Sequence, residues 1–212
     1  GFAEIADLAM RALAANPAFT RIVARGETRT GAARDFTVKV EVAGLAPATT
    51  YYYRFEALGG RSAIGRTRTL PAAGAARLRL ALASCSNYPH GYFNAYARIA
   101  ERSDVDVVLH LGDYIYDYHQ GRYLDPDLAA SRAVDPPTET IALDDYRRRY
   151  ALYRTDPDLQ AAHRQHPFIC IWDDHEIANN AWRGGAENHQ PDEGDYLKRR
   201  DAAYQAYLEW LP

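Results

Sequence analysis

Three short runs of this chain place metal-binding and proton-carrying groups directly after apolar residues: Ser84-Cys85-Ser86-Asn87, Gly112-Asp113-Tyr114-Ile115-Tyr116 and Asp173-Asp174-His175-Glu176. Two cations held close together need a carboxylate that bridges them, and a carboxylate at the tip of a strand has a rigid base to hold it there. Asp113 occupies such a place, and Gly112 before it lets the backbone turn tightly enough to aim it. His175 adds a group that moves protons near neutral pH. Asp173 and Asp174 are adjacent carboxylates, and either could be the ligand. Cys85 taken alone is a small buried hydrophobe by default; its position at a strand tip, level with the aspartates, favours a metal ligand. In an open α/β sheet, ligands sit outside the carboxyl ends of the strands, so the three tips are expected to converge on one site.

The elements that must position these tips are legible in outline. LRLALASC (78–85), VVLHLGD (107–113) and PFICIW (167–172) read as short buried strands. GYFNAYARIAER (91–102) reads as a helix with Phe93, Tyr96, Ala97 and Ala100 on one face, so the first two strands form a parallel βαβ unit. Further helices are expected over 143–153, capped by Asp144 or a near neighbour, and over 195–210. The first third of the chain has a different grammar. DFTVKVEV (35–42) and YYYRFEAL (51–58) alternate with period two, and Gly59-Gly60 marks a tight hairpin into RSAIGRTRTL, a pattern that points to an antiparallel sandwich. Phe2, Ile5, Leu8, Ala12 and Leu13 fit either a helix or a strand near 8–14. The small-residue stretch PAAGAA (71–76) is read as a linker between the two parts.

Composition excludes several classes. The formal net charge is -3 and no Lys/Arg block stands out, so the footprint of a nucleic-acid binder is missing. No apolar run is long enough to cross a bilayer. The 2 cysteines make no disulfide framework or zinc pattern. Cys170 lies mid-strand and reads as core packing; its displacement from the tip by about 13 Å disfavours a bond to Cys85. His110 reads as a core histidine, Tyr114, Asp117 and Tyr118 as packing or supporting groups, and Glu176 as a helix residue or a partner for His175. Asn179, Asn180 and Trp182 are candidates for lining a pocket.

The set SCSN, GDYIYDY and IWDDHEIANNAW, with VKVEVAGLAPATTYYYRFEALGG and IGRTRTLP upstream, resembles the PhoD-like alkaline phosphatase family among the binuclear metallophosphoesterases. The resemblance runs from about Ala15 to the end of the chain. It implies a fibronectin-III-like β-sandwich over 1–71, a linker over 72–76, and over 77–212 an α/β metallophosphoesterase domain, the N-terminal half of an αββα sandwich. It also implies ligands: Asp113 bridging two metals, Tyr116 and Cys85 on ferric iron, Asp174 on calcium, and Asn87 as a weaker ligand where the family often has a carboxylate. His175 is then the catalytic group beside the phosphate.

The implied activity is hydrolysis of phosphomonoesters or phosphodiesters by in-line attack of a metal-activated hydroxide, without a covalent enzyme intermediate. The substrate is a small phosphate ester or a polymer, and the location is periplasmic or extracellular. Ligands that the family takes from a C-terminal half are missing from this chain, so a fragment is expected. Two alternatives stand beside this reading: a non-catalytic exported surface protein that keeps the sandwich as an interaction module, and a diesterase directed at phospholipid or teichoic acid.

Overall fold

Alternating polarity organises the first part of the chain into strands. In the computed structural model, which describes residues 7–74, 77–123, 125–128 and 131–212, β1 (Asp7–Ala14) is a strand, and the helical alternative for this stretch is set aside. It pairs antiparallel with β2 (Ile22–Thr30) on one side and β3 (Thr50–Ala57) on the other. The short strands β4 (Gly60–Arg61) and β5 (Gly65–Arg68) both pair with β3, giving a five-stranded antiparallel sheet. The hairpin turn sits one residue earlier than expected. Leu58 and Gly59 take the positive φ values of 52° and 74°, and Gly60 already belongs to β4. Residues 1–6, which include Phe2 and Ile5, and residues 75 and 76 of the expected linker lie outside the described residues.

Residues 35–42 are not the expected strand. Asp35 and Phe36 turn the chain with φ of 49° and 56°, and the residues that follow run without a ladder partner. Their alternation nevertheless survives in burial, since Val38, Val40 and Val42 are half-buried and Lys39 and Glu41 are exposed. Period two reports which side of an extended segment is wet. It does not report whether a neighbouring strand exists. The described residues of this part therefore form one antiparallel sheet. Strand β2 went unread for the converse reason: its inward positions are Ile22, Ala24, Gly26, Thr28 and Thr30, mostly too small or too polar to register as an apolar face.

The remainder is built on a parallel sheet of β6 (Leu80–Ala83), β7 (Val107–His110) and β8 (Phe168–Cys170), in that spatial order. Helices α1 (Asn94–Ala100), α2 (Leu143–Tyr153), α3 (Pro157–Gln165) and α4 (Tyr196–Trp210) accompany it. Helix α2 starts where Asp145 accepts from the backbone N–H groups of Ile141 and Ala142, at 3.1 and 2.8 Å. Helix α3 was not anticipated, yet it has a plain start signal: Asp156 accepts from the N–H groups of Asp158 and Leu159, with Pro157 in the first turn.

One face of the parallel sheet is packed. Val108 and Phe168 join Tyr96 of α1, Tyr146, Tyr150 and Tyr153 of α2, and Leu159 and Ala162 of α3 in a single core. The other face is open. Leu80 and Leu82, Leu111, and Ile169 and Ile171 project from it between 44% and 64% exposed. Along β6 the leucines lie on the open side, while Ala81 and Ala83 face the helices. The open face is thus the more apolar of the two.

Candidate metal centre

The three strand tips meet at the carboxyl edge of the parallel sheet. Beyond β6, the N–H of Cys85 donates to Gly112 O at 3.1 Å and that of Ser86 to Asp113 O at 2.8 Å, so the first tip is stitched to the second. Cys85 and Asp113 both adopt left-handed backbone, each with φ of 55°. Gly112 has φ of 101°, and a Cβ there would lie 2.5 Å from both N and Cβ of Asp173. Glycine is needed at this position twice over, for the turn and for the close approach of the third tip. Glu176 completes the junction. Its buried carboxylate accepts from the N–H groups of Asp113, Tyr114 and Asp173. Burial pushes this carboxyl up to about 7, while the three backbone donors pull it the other way. Glu176 therefore ties the second tip to the third, which corrects its assignment as a helix residue or partner of His175.

Ligand atoms from Asp113, Asp174 and His175 all lie within 4.8 Å of one another. Of the adjacent carboxylates it is Asp174 that joins this group; Asp173 is exposed. Asp113 is 7% exposed and its Oδ1 has no hydrogen-bond partner, although its Oδ2 accepts from the Tyr116 hydroxyl at 3.2 Å. Burial raises the Asp113 carboxyl above its ordinary range, with His175 opposing the shift. Cys85 is exposed and stands outside the close trio, near enough to act electrostatically on both the Asp113 carboxyl and the Tyr116 hydroxyl. The Tyr116 phenol is pushed far up, first by burial and then by the charges of Asp113 and Cys85, so it would surrender its proton only to a cation. Asn87 brings a second orphan, a buried Oδ1 without a partner. A buried acceptor left unmatched is unfavourable unless something donates to it or is coordinated by it. The orphan Asp113 oxygen, close to Asp174 and His175 and beside the Tyr116 phenol, fits a cation site.

His175 is held from three sides by three consecutive residues. Tyr116 stacks on its ring with centroids 4.2 Å apart, and Tyr118 meets it edge-on at 5.1 Å. Between them, Asp117 Oδ1 accepts from Nδ1 at 2.7 Å, which leaves Nε2 as the free nitrogen. Burial alone would lower the imidazole pKa, but the bond to Asp117 and the charges of Asp117, Asp113 and Asp174 outweigh it and hold the pKa above its usual value. Asp117 is fully buried and anchored in turn: its Oδ2 accepts from Asn188 Nδ2 at 2.6 Å and Asn179 N at 3.3 Å, with Arg199 Nη2 3.7 Å away. Tyr114 points the opposite way, into the core, where its hydroxyl meets His163 Nε2 at 2.9 Å. Asp117 carried a weak signal in the sequence and Arg199 none, since an arginine inside an amphipathic helix reads as part of its wet face. His110 is in the core as expected, its Nε2 joined to Ser86 Oγ and Tyr96 Oη, and burial lowers it to about 4. Trp182 is 58% exposed.

Comparison with known proteins decides the family. A family model described as PhoD-like phosphatase matches residues 80–212, and one described as PhoD-like phosphatase, N-terminal domain, matches residues 6–71. This chain belongs to the PhoD-like phosphatase family. Among PhoD-like proteins it is 42% identical over 196 residues to alkaline phosphatase D of Bacillus subtilis (strain 168), an alignment that covers 92% of this chain and 33% of that protein. A solved structure titled "Structure of PhoD" matches with a TM-score of 0.90 and 38% identity, covering 100% of this chain and 40% of the other. The combination of an antiparallel and a parallel sheet is thus the PhoD-like fold over this stretch. The chain spans about a third of the length of its curated relative.

Proposed function

We propose that this chain is the N-terminal part of a metal-dependent phosphoesterase acting on phosphomonoesters or phosphodiesters. The observation that carries the reading is the meeting of the second and third strand tips, which brings ligand atoms of Asp113, Asp174 and His175 within 4.8 Å of one another. Asp113 would bridge two cations, Cys85 and Tyr116 would bind the more highly charged one, and Asp174 and Asn87 the other. Ferric iron and calcium suit these donors, since thiolate and phenolate favour iron while carboxylate and amide oxygens favour calcium. When bound, the cations supply acidity to water and positive charge to the phosphate oxygens.

The residues of the chain provide the rest. His175, with Nδ1 committed to Asp117, presents Nε2 to the substrate and delivers a proton to the departing alkoxide oxygen. Tyr116 and Tyr118 keep the imidazole from rotating and shield it from water. Asp117 fixes which nitrogen faces the site, and the Arg199 and Asn188 contacts fix Asp117.

The segment up to residue 71 is taken as a small β domain of fibronectin-III-like kind, 72–76 as linker, and 77–212 as half of an αββα metallophosphoesterase domain. The uncovered leucines and isoleucines of the parallel sheet support the half-domain reading. Parallel sheets are covered on both faces, and each such side chain left in water forgoes roughly 1.5–3 kcal/mol. A second sheet from the remaining two thirds of a PhoD-like protein is the fitting cover. Among the described residues no helix is long and apolar enough to cross a membrane. Family kinship favours an exported protein.

The test is hydrolysis of a chromogenic phosphomonoester and a phosphodiester by the full-length protein, before and after chelation, with iron and calcium restored separately. Turnover that is lost on chelation and regained with metal supports the proposal. Full turnover after exhaustive chelation refutes the metal mechanism, and no turnover under any condition favours the non-catalytic surface protein.

A further inference from the structure

Helix α2 carries three consecutive arginines, and the advance of about 100° per residue sends each to a different neighbour. Arg147 makes a two-pronged pair with Glu209 of α4, both contacts 2.7 Å, and donates to the carbonyls of Ala32 and Ala33. Arg148 forms an exposed pair with Asp135. Arg149 is fully buried, and among the described residues it contacts no carboxylate. Its donors go to main-chain carbonyls alone: Tyr116, Tyr118 at 3.0 Å, Asp135 at 3.2 Å, Pro136 at 2.9 Å and Thr138 at 3.1 Å.

These five oxygens belong to two chain segments, 116–118 and 135–138. The first is the segment that surrounds His175, with Tyr116 stacked, Asp117 on Nδ1 and Tyr118 edge-on. The two segments and the residues that directly follow them are cross-tied by Gln120 N donating to Pro137 O at 2.7 Å and Thr140 N to Asp117 O at 3.0 Å. A buried guanidinium without an anionic partner is costly, and a planar fork of five donors is the one side chain able to satisfy carbonyls spread over two strands of loop.

We propose that Arg149 is the positioning residue of the metal centre, the pin that holds residues 116–118 against His175 and thereby sets the geometry offered to cations and phosphate. It touches neither metal nor substrate. Its functional consequence rests on the metal-centre reading given above, whereas its effect on His175 does not.

The experiment compares Arg149→Lys and Arg149→Gln with Arg148→Ala in the full-length protein. In metal-free protein, nitrogen-edited proton NMR of the His175 Nδ1–H is expected to give a strongly downfield, slowly exchanging signal that survives Arg148→Ala and is lost in both Arg149 variants. Calcium affinity by calorimetry is expected to fall about 10-fold or more for Arg149→Lys, which keeps the charge but not the fork. Folded Arg149 variants with lowered melting temperature but an unchanged His175 signal and unchanged calcium affinity would overturn the proposal, leaving Arg149 a support for the fold alone. If the wild type binds no calcium, the metal reading fails at that point while the His175 signal still decides the role of Arg149. If neither variant folds, hydrogen exchange in the wild type decides it: the Gln120 and Thr140 amides should exchange as slowly as those of α2, and exchange orders of magnitude faster contradicts the pin.

Discussion

The two sheets of this chain are held in opposite ways. In the antiparallel sheet most described side chains are only half-buried, and among them Leu13, Ala14 and Tyr51 are the buried hydrophobics. In the parallel sheet a single core runs from Tyr88 to Leu211 and includes ten fully buried side chains, among them Tyr114, Tyr146, Tyr150 and Tyr153. The candidate site stands on the second sheet, at the tips of all three of its strands. The difference teaches where stiffness is spent. A cation pair of the kind proposed would tolerate little displacement of its ligands, and the candidate carboxylates do grow from the densely packed layer rather than from the loosely packed sheet.

That contrast makes predictions of decreasing size. Asp113→Ala should reduce cation affinity in the full-length protein by more than about 100-fold, beyond what loss of a supporting partner does, with turnover falling at least as far. Calorimetry and phosphomonoester hydrolysis read both. Gly112→Ala should destabilise the protein by about 2–4 kcal/mol in urea unfolding, because a Cβ collides with Asp173 backbone in a left-handed conformation. A neutral result there would mean that the tips are not in contact. Asp117→Asn should lower kcat by about 10–100-fold with a small change in Tm, since the imidazole loses its anchor while the core stays whole. Smallest, Arg147→Ala should remove about 1–2 kcal/mol of stability through its partly buried pair with Glu209 and leave cation affinity untouched. A drop in affinity from that change would mean that contacts remote from the strand tips also set the site.

The covered and uncovered faces of the parallel sheet sharpen the same point. Leu82→Lys places a charge on the open face, 64% exposed in this chain. In the residues 1–212 taken alone it should be nearly neutral. In the full-length protein it should destabilise strongly, as burial of an unpaired ammonium requires. Equal effects in the two contexts would argue that nothing covers this face.

The sequence was most informative where a single physical demand dominates. The apolar strands 78–85, 107–113 and 167–172 and their polar tips were legible because a buried strand and a polar site at its end ask for opposite residue types at adjacent positions. Helices α1, α2 and α4 followed from their apolar stripes. Where two demands overlap, the signal blurred. The alternation of 35–42 marks one wet and one dry side, and without a partner strand it forms no ladder. Strand β2 is lined inward by small and polar residues, so its period was hidden. Glu176 looked like a partner for the neighbouring histidine, but the third tip folds back so that its carboxylate caps three backbone N–H groups. Arg149 and Arg199 were invisible for a general reason: nothing in a helical sequence tells a buried arginine that satisfies carbonyls from an exposed one that pairs with water.

The central claim is that Cys85, Asp113, Tyr116 and Asp174 surround one pair of cations. The most direct measurement is anomalous X-ray scattering from crystals of the full-length protein, purified without chelator, with data collected on either side of the iron edge. The account predicts an iron peak within bonding distance of the Cys85 sulfur, the Tyr116 oxygen and an Asp113 carboxylate oxygen, with a second cation on the Asp174 side of Asp113. An active protein whose metal peaks lie away from Asp113, or that contains none, would contradict it.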